Sequence, residues 1–179
     1  MKKNDGFTLI EVLVAILIVA VGILGVAGMQ VVSLQQNRNA LFRDTALQLG
    51  NDIMDRMRAN SLEAYSPVAL TDAPSFGVNC NDNSCSRPQM REFDLAQWKC
   101  RLDPLDGDGA IHSACATLFG VVEPDDPFPG AALPGGRGSI TGGVDGATYE
   151  VTVDWIADRK GNRSQVVLRA IITDRPPPP

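Results

Sequence analysis

The sequence predicts an α+β fold: one long N-terminal α-helix packed on a small antiparallel β-sheet, with disulfide-bearing loops. Three observations predict it. A short basic start is followed by the uncharged run Val12 to Met29 and then by an apolar stripe reaching toward Asn60, so one helix serves an apolar and a half-wet environment. The last third alternates apolar and polar residues, the period of a strand with one buried face. All four cysteines fall after residue 79, among Pro, Gly and Asn residues that break any longer period.

The first element carries the functional question. Glu11 sits at the head of the apolar run. A charge at mid-bilayer is disfavoured by roughly 3 kcal/mol on insertion scales, less near an end, so an acid here calls for a specific partner. A newly made amino terminus suits best, because an ammonium and a carboxylate meeting in hydrocarbon relieve each other's burial only in close geometry. A secretory signal shares the basic start and apolar core, but it places small residues after the core and no acid before it. Lys2 and Lys3 put the start in the cytoplasm and the bulk of the chain outside.

The run Gly6-Phe7-Thr8-Leu9-Ile10-Glu11 behind a short basic leader resembles the signature of the type IV pilins. The resemblance implies a ladle-shaped pilin fold, prepilin peptidase cleavage between Gly6 and Phe7, N-methylation of Phe7 and a subunit-pairing role for Glu11. It implies a leader over 1–6, a transmembrane and polymerisation half over 7–32, an amphipathic half over 33–60 and a periplasmic globular domain over 61–179. The segments Glu11–Ala15, Gly22–Gln30, Asp52–Asn60, Asp94–Trp98 and Leu133–Ile140 are similar to a minor pilin rather than a main building block. Such a subunit is expected in the bacterial inner membrane as a single-pass protein, then in the pilus at the cell surface. Its implied partners are other minor pilins, the major pilin, the prepilin peptidase that is also the N-methyltransferase, the inner-membrane assembly platform and a tip adhesin. Its implied work is priming pilus assembly in support of twitching motility and adhesion. A type II secretion pseudopilin shares the leader and Glu11 and is the alternative of the same class.

Beyond the membrane half, Phe42, Ala46, Leu49, Ile53 and Met57 fall on one stripe at helical spacing. A helix from Phe7 to Asn60 would be about 80 Å long at 1.5 Å per residue. Gly22, Gly25 and Gly28 repeat every third residue in the apolar half, where small residues permit close helix approach. Gly28 stands where many major pilins carry proline. Asp55, Arg56 and Arg58 read as a solvated helix face.

After Asn60 a loop-rich crossing leads to Pro88, which opens a short helix through Leu102 with Met90, Phe93, Leu95, Trp98 and Leu102 on its apolar side. Cys80, Cys85, Cys100 and Cys115 lie where disulfides are permitted and allow three pairings. Cys80 with Cys85 and Cys100 with Cys115 is favoured, because each pair clasps a polar, turn-rich excursion. No C-x-x-C pair occurs and His112 is the only histidine, so zinc is not expected. Asp103, Asp106 and Asp108 on a glycine-bearing turn offer carboxylates to calcium, but the spacing is not that of an EF-hand. Glu123 to Gly130 reads as exposed loop. A strand near Gly138 to Thr141, a second through Tyr149, Val151, Val153 and Trp155, a turn at Asp158 to Arg163 and a third through Val166, Leu168, Ala170 and Ile172 complete the sheet, with Pro176 to Pro179 as a trailing tail.

Composition narrows function. The formal charge is -5 over 179 residues, and residues 61–179 hold more acidic than basic side chains. No phosphate-neutralising face follows, so nucleic acid is not an expected partner. No nucleophile motif or metal constellation stands out, so no enzyme activity, cofactor or metal is expected. A free adhesin would need a ligand surface that the sequence does not display.

Overall fold

The computed structural model describes residues 8–106, 108–120, 132–143, 148–158 and 160–172. The chain forms two compact units, residues 1–41 and 42–179. Helix α1 (Leu9–Ala59) runs through the first unit into the second. Helices α2 (Arg87–Leu102) and α3 (Ser113–Phe119) and strands β1 (Arg137–Gly142), β2 (Thr148–Ile156) and β3 (Arg163–Ile171) complete the second. The fold is α+β, a long N-terminal helix with a three-stranded antiparallel sheet of order β1-β2-β3.

Alternation sets the sheet's inner face. The antiparallel register aligns Gly138, Val153 and Val166 in one cross-strand row, Ile140, Val151 and Leu168 in the next, and Gly142, Tyr149 and Ala170 in the third. Side chains in such rows point to the same face, here the core. The helical stripe meets the same cluster: Ala46, Leu49, Ile53, Met54 and Met57 are buried with Val151 and Val153, and Phe42 packs against them half-buried. Gly50 permits a close approach, since a Cβ there would stand 2.6 Å from Leu168 Cδ1. The free edge of β1 is capped by Val68, which exchanges two backbone hydrogen bonds with Ile140, each of 2.9 Å. This isolated bridge covers the edge at Ile140, in the middle of the strand.

Helix α2 is started by Ser86, whose N–H donates to Gln89 Oε1 at 2.8 Å, with Pro88 in the first turn. Its Trp98 is fully buried and donates Nε1–H to the Leu49 carbonyl of α1 at 3.0 Å. The ring lies directly over Gly138, where any Cβ would collide with Cη2. Cys80 is bonded to Cys85 and Cys100 to Cys115. The second bridge ties α2 to α3, a seven-residue helix absent from the sequence reading, which Gly120 ends in the left-handed conformation at φ 67°. Residues 123–130 and 176–179, read above as a loop and a tail, lie outside the described residues.

Arg56 corrects the expected solvated face. Its guanidinium donates to Asp52 at 3.1 Å and to Asp94 at 3.0 Å, and Asp94 is 5% exposed. Tyr65 donates its hydroxyl to the other oxygen of Asp94 at 2.7 Å. One carboxylate therefore links α1, the crossing loop and α2. Helical periodicity placed Arg56 at the surface because it sees only one helix, not the neighbour that covers it. At the sheet's far end Asp154, 6% exposed, accepts from Arg137 at 2.8 Å and from Arg163 at 2.6 Å. Burial alone would raise its pKa, but the two guanidinium groups hold the carboxyl below the usual range.

Two groups give this unit a distinctive alkaline profile. Burial lowers Lys99 from 10.5 to about 8, with Asp72 opposing and Arg137 assisting. Burial and the Asp94 carboxylate push the Tyr65 hydroxyl well above its usual value. Between pH 8 and 10.5 the unfolded chain holds a proton on Lys99 that the folded chain releases, so stability rises with pH. Above about pH 10 the unfolded chain loses the tyrosine proton that the folded chain keeps, so stability falls. Urea unfolding of the full chain in detergent should therefore show stability climbing by up to about 3 kcal/mol from pH 8 and turning over near pH 10. A flat profile across pH 8 to 10 would refute the Lys99 assignment.

Candidate functional site: an apolar helix with one carboxylate

The first turn of α1 is built on Thr8, whose carbonyl accepts from Glu11 N–H at 3.1 Å and from Val12 N–H at 3.4 Å. Thr8-Leu9-Ile10-Glu11 also has the Ser/Thr-x-x-Glu spacing of a helix start, a signal the sequence reading did not use. An acid in this turn faces the positive end of the helix dipole, so Glu11 suits the N-terminus on local grounds as well. It is the single charged residue from Thr8 to Asn37. Gly6 and Phe7, the residues assigned to cleavage and methylation, lie outside the described residues.

Every residue from Thr8 to Leu41 is exposed in the isolated chain. That includes Leu9 at 78%, Leu24 at 72% and Met29 at 69%. Soluble proteins rarely expose contiguous apolar surface on this scale, so the segment requires lipid or other protein around it. Among the described residues α1 is the one helix long and apolar enough to cross a membrane. Gly22, Gly25 and Gly28 lie on this bare stretch. A Cβ at any of the three would meet no atom within 4 Å, so contacts within the chain do not account for them. Beside Gly22, Val19, Ile23 and Val26 wall a shallow dent in the helix surface.

Among the described residues no group of three or more His, Cys, Asp or Glu side chains comes together as a metal site would need. Two of the calcium candidates, Asp103 and Asp106, are engaged with their own loop. Asp103 Oδ1 accepts from Leu105 N–H at 3.0 Å, and Asp106 Oδ1 accepts from Asp108 N–H at 3.0 Å and Ala110 N–H at 2.8 Å. Burial raises the Asp103 carboxyl pKa, which disfavours the charged form that calcium prefers.

Two family models match the chain. The one described as the prokaryotic N-terminal methylation motif covers residues 1–27, and the one described as type IV pilin Tt1218 covers residues 28–96. A search of the curated proteins and a search of the solved structures each gave no match. The first match takes in Gly6, Phe7 and Glu11; the second runs from Gly28 through most of α2. The chain thus carries a prepilin methylation motif joined without a gap to a type IV pilin segment, on a pilin-like α+β fold.

Proposed function

We propose that this protein is a minor pilin of the type IV pilus, of the kind PilV represents, that helps prime assembly at the inner membrane and enters the filament at or near its tip. The observation that carries the reading is the wholly exposed apolar half of α1, headed by one carboxylate and preceded by the methylation motif. While the subunit is alone, this surface stays in lipid. In a filament the stems of neighbouring subunits bury one another, so assembly exchanges lipid contacts for helix contacts. Cleavage after Gly6 frees the Phe7 amine, which meets Glu11 of a neighbouring subunit and sets the axial register. The second unit, with its core closed by α1 and α2, stays in the periplasm until assembly and then faces the medium. Its partners are the other minor pilins, the major pilin and the assembly platform, and its work is structural.

Glu11→Ala separates processing from assembly. The variant should be cleaved and methylated normally, while its recovery in sheared surface pili falls at least about tenfold, as removal of a pairing worth ~1.4 kcal/mol or more requires. Recovery equal to the parent would defeat the pairing role. Deleting the chain distinguishes a pilus subunit from a secretion pseudopilin: lost surface pili and twitching support the first, lost secreted enzymes with intact pili the second.

A further inference from the structure

Between the crossing segment Pro67–Gly77 and helix α2 lies an open cleft of about 590 Å³. Val68, Pro74, Phe76 and Leu95 give it apolar walls, and Phe76 is held in place edge-on against Phe93 at 5.8 Å between ring centroids. Lys99 lines the cleft although it is only 7% exposed. Its Nζ donates to the Ala69 carbonyl at 2.6 Å and, more loosely, to the Leu70 carbonyl at 3.4 Å. Among the described residues it forms no ion pair. The nearby Asp72 is spent on its own turn, accepting from Ala69 N–H at 2.7 Å, and Arg137 acts on Lys99 with like charge. Arg91 and Glu92 also line the cleft, and Arg91 Nε is occupied by the Ala64 carbonyl at 2.6 Å.

A buried ammonium held by two carbonyls, with Asp72 acting on it through charge but not as an ion pair, is incompletely compensated. A cleft of this size with apolar walls and a few convergent polar groups has the build of a ligand site. The charges select the ligand. Asp72 and Glu92 offset Arg91 and Lys99 in the same cleft, so it lacks the excess positive charge that a polyanion such as phosphate needs, whereas a single carboxylate requires one cation. One negative charge finds in Lys99 a cation without an ion pair, and an aliphatic body finds Phe76, Leu95 and Val68.

We propose that this cleft binds the C-terminal carboxylate of a peptide ending in an aliphatic residue, with the carboxylate against Lys99 and the side chain against Phe76 and Leu95. The proposal does not rest on the pilin reading. A charge-assisted hydrogen bond in a partly desolvated site favours the acid over its neutral amide by an order of magnitude in affinity.

The test uses the full chain in detergent micelles, titrated with N-acetyl-alanyl-leucine, with the same peptide as its C-terminal amide, and with inorganic phosphate, and read by NMR. The acid should shift the Phe76, Leu95 and Lys99 signals saturably, the amide should bind at least about tenfold more weakly, and phosphate should leave the walls unmoved. The Lys99 ammonium should titrate higher with peptide bound than its value of about 8 alone, a response that a purely structural lysine would not give. Lys99→Gln should erase the preference for acid over amide. Glu92→Gln, at an exposed position that does not disturb the core, should tighten acid binding. No saturable shift with millimolar peptide, equal binding of acid and amide, or tighter binding of phosphate would overturn the proposal.

Discussion

Replacing Gly6 by alanine is expected to leave the leader on the chain and to abolish entry into pili. Gly6 is the last residue before the apolar segment, so a cut there leaves Phe7 as a charged terminus at the membrane surface, one helical turn from Glu11. With the leader retained, that amine does not exist, and Lys2, Lys3 and Asp5 are carried at the head of a stem meant to pack among other stems. Burying those charges in a helix bundle is costly and has no partner to offset it. A precursor band of higher mass should persist on gels, and sheared pili should contain none of the variant. Normal maturation and normal recovery would count against the cleavage assignment. Glu11→Ala and Gly6→Ala therefore fail at different steps, the first after processing and the second before it.

The second large effect is structural. Trp98→Ala should destabilise the globular unit by about 3–5 kcal/mol, the usual range for truncating a large buried aromatic. Trp98 is fully buried, fills the space that Gly138 leaves open, and satisfies the Leu49 carbonyl of α1. Its loss opens a cavity between α2 and β1 and removes the indole bond to that carbonyl, which keeps its place in the hydrogen-bond ladder of α1. Trp98→Phe retains much of the packing but not the N–H, so it should cost less than the alanine variant. Leu105→Ala, at a 46% exposed position, should cost little. Urea unfolding of the full chains in detergent, followed by near-ultraviolet circular dichroism, gives the three values. Equal values for the tryptophan and leucine variants would contradict the packing described.

How much of this the sequence revealed depends on whether the signal is local. The stripe Ala46, Leu49, Ile53, Met57 and the alternation Tyr149, Val151, Val153, Trp155 are periodic, and each period names the face that is buried. The methylation-motif model covers Gly6, Phe7 and Glu11, and the roles proposed for them rest on that motif and on an acid heading an apolar run behind a basic leader. The pairing of Cys80 with Cys85 and of Cys100 with Cys115 follows short polar excursions that a local bridge can close. What escaped is either short or distant. Helix α3 spans only seven residues, two turns that owe their place to the Cys115 bridge rather than to a period of their own. The bond of Val68 to Ile140 and the meeting of Arg56, Tyr65 and Asp94 join residues separated by 29 to 72 positions, which no window on the sequence spans. The Lys99 cleft escaped for the same reason: its cation lies on α2 and its carbonyl partners in the crossing loop.

In the proposed function, trimming frees an apolar stem whose amine and Glu11 bring subunits together. Intact-mass and fragment analysis of the chain recovered from sheared surface pili tests it most directly. The expected species begins at Phe7 and bears one methyl group on its amine. A chain in assembled pili that still begins at Met1, or that begins at Phe7 with its amine blocked by an acyl group and so unable to carry charge, would contradict it.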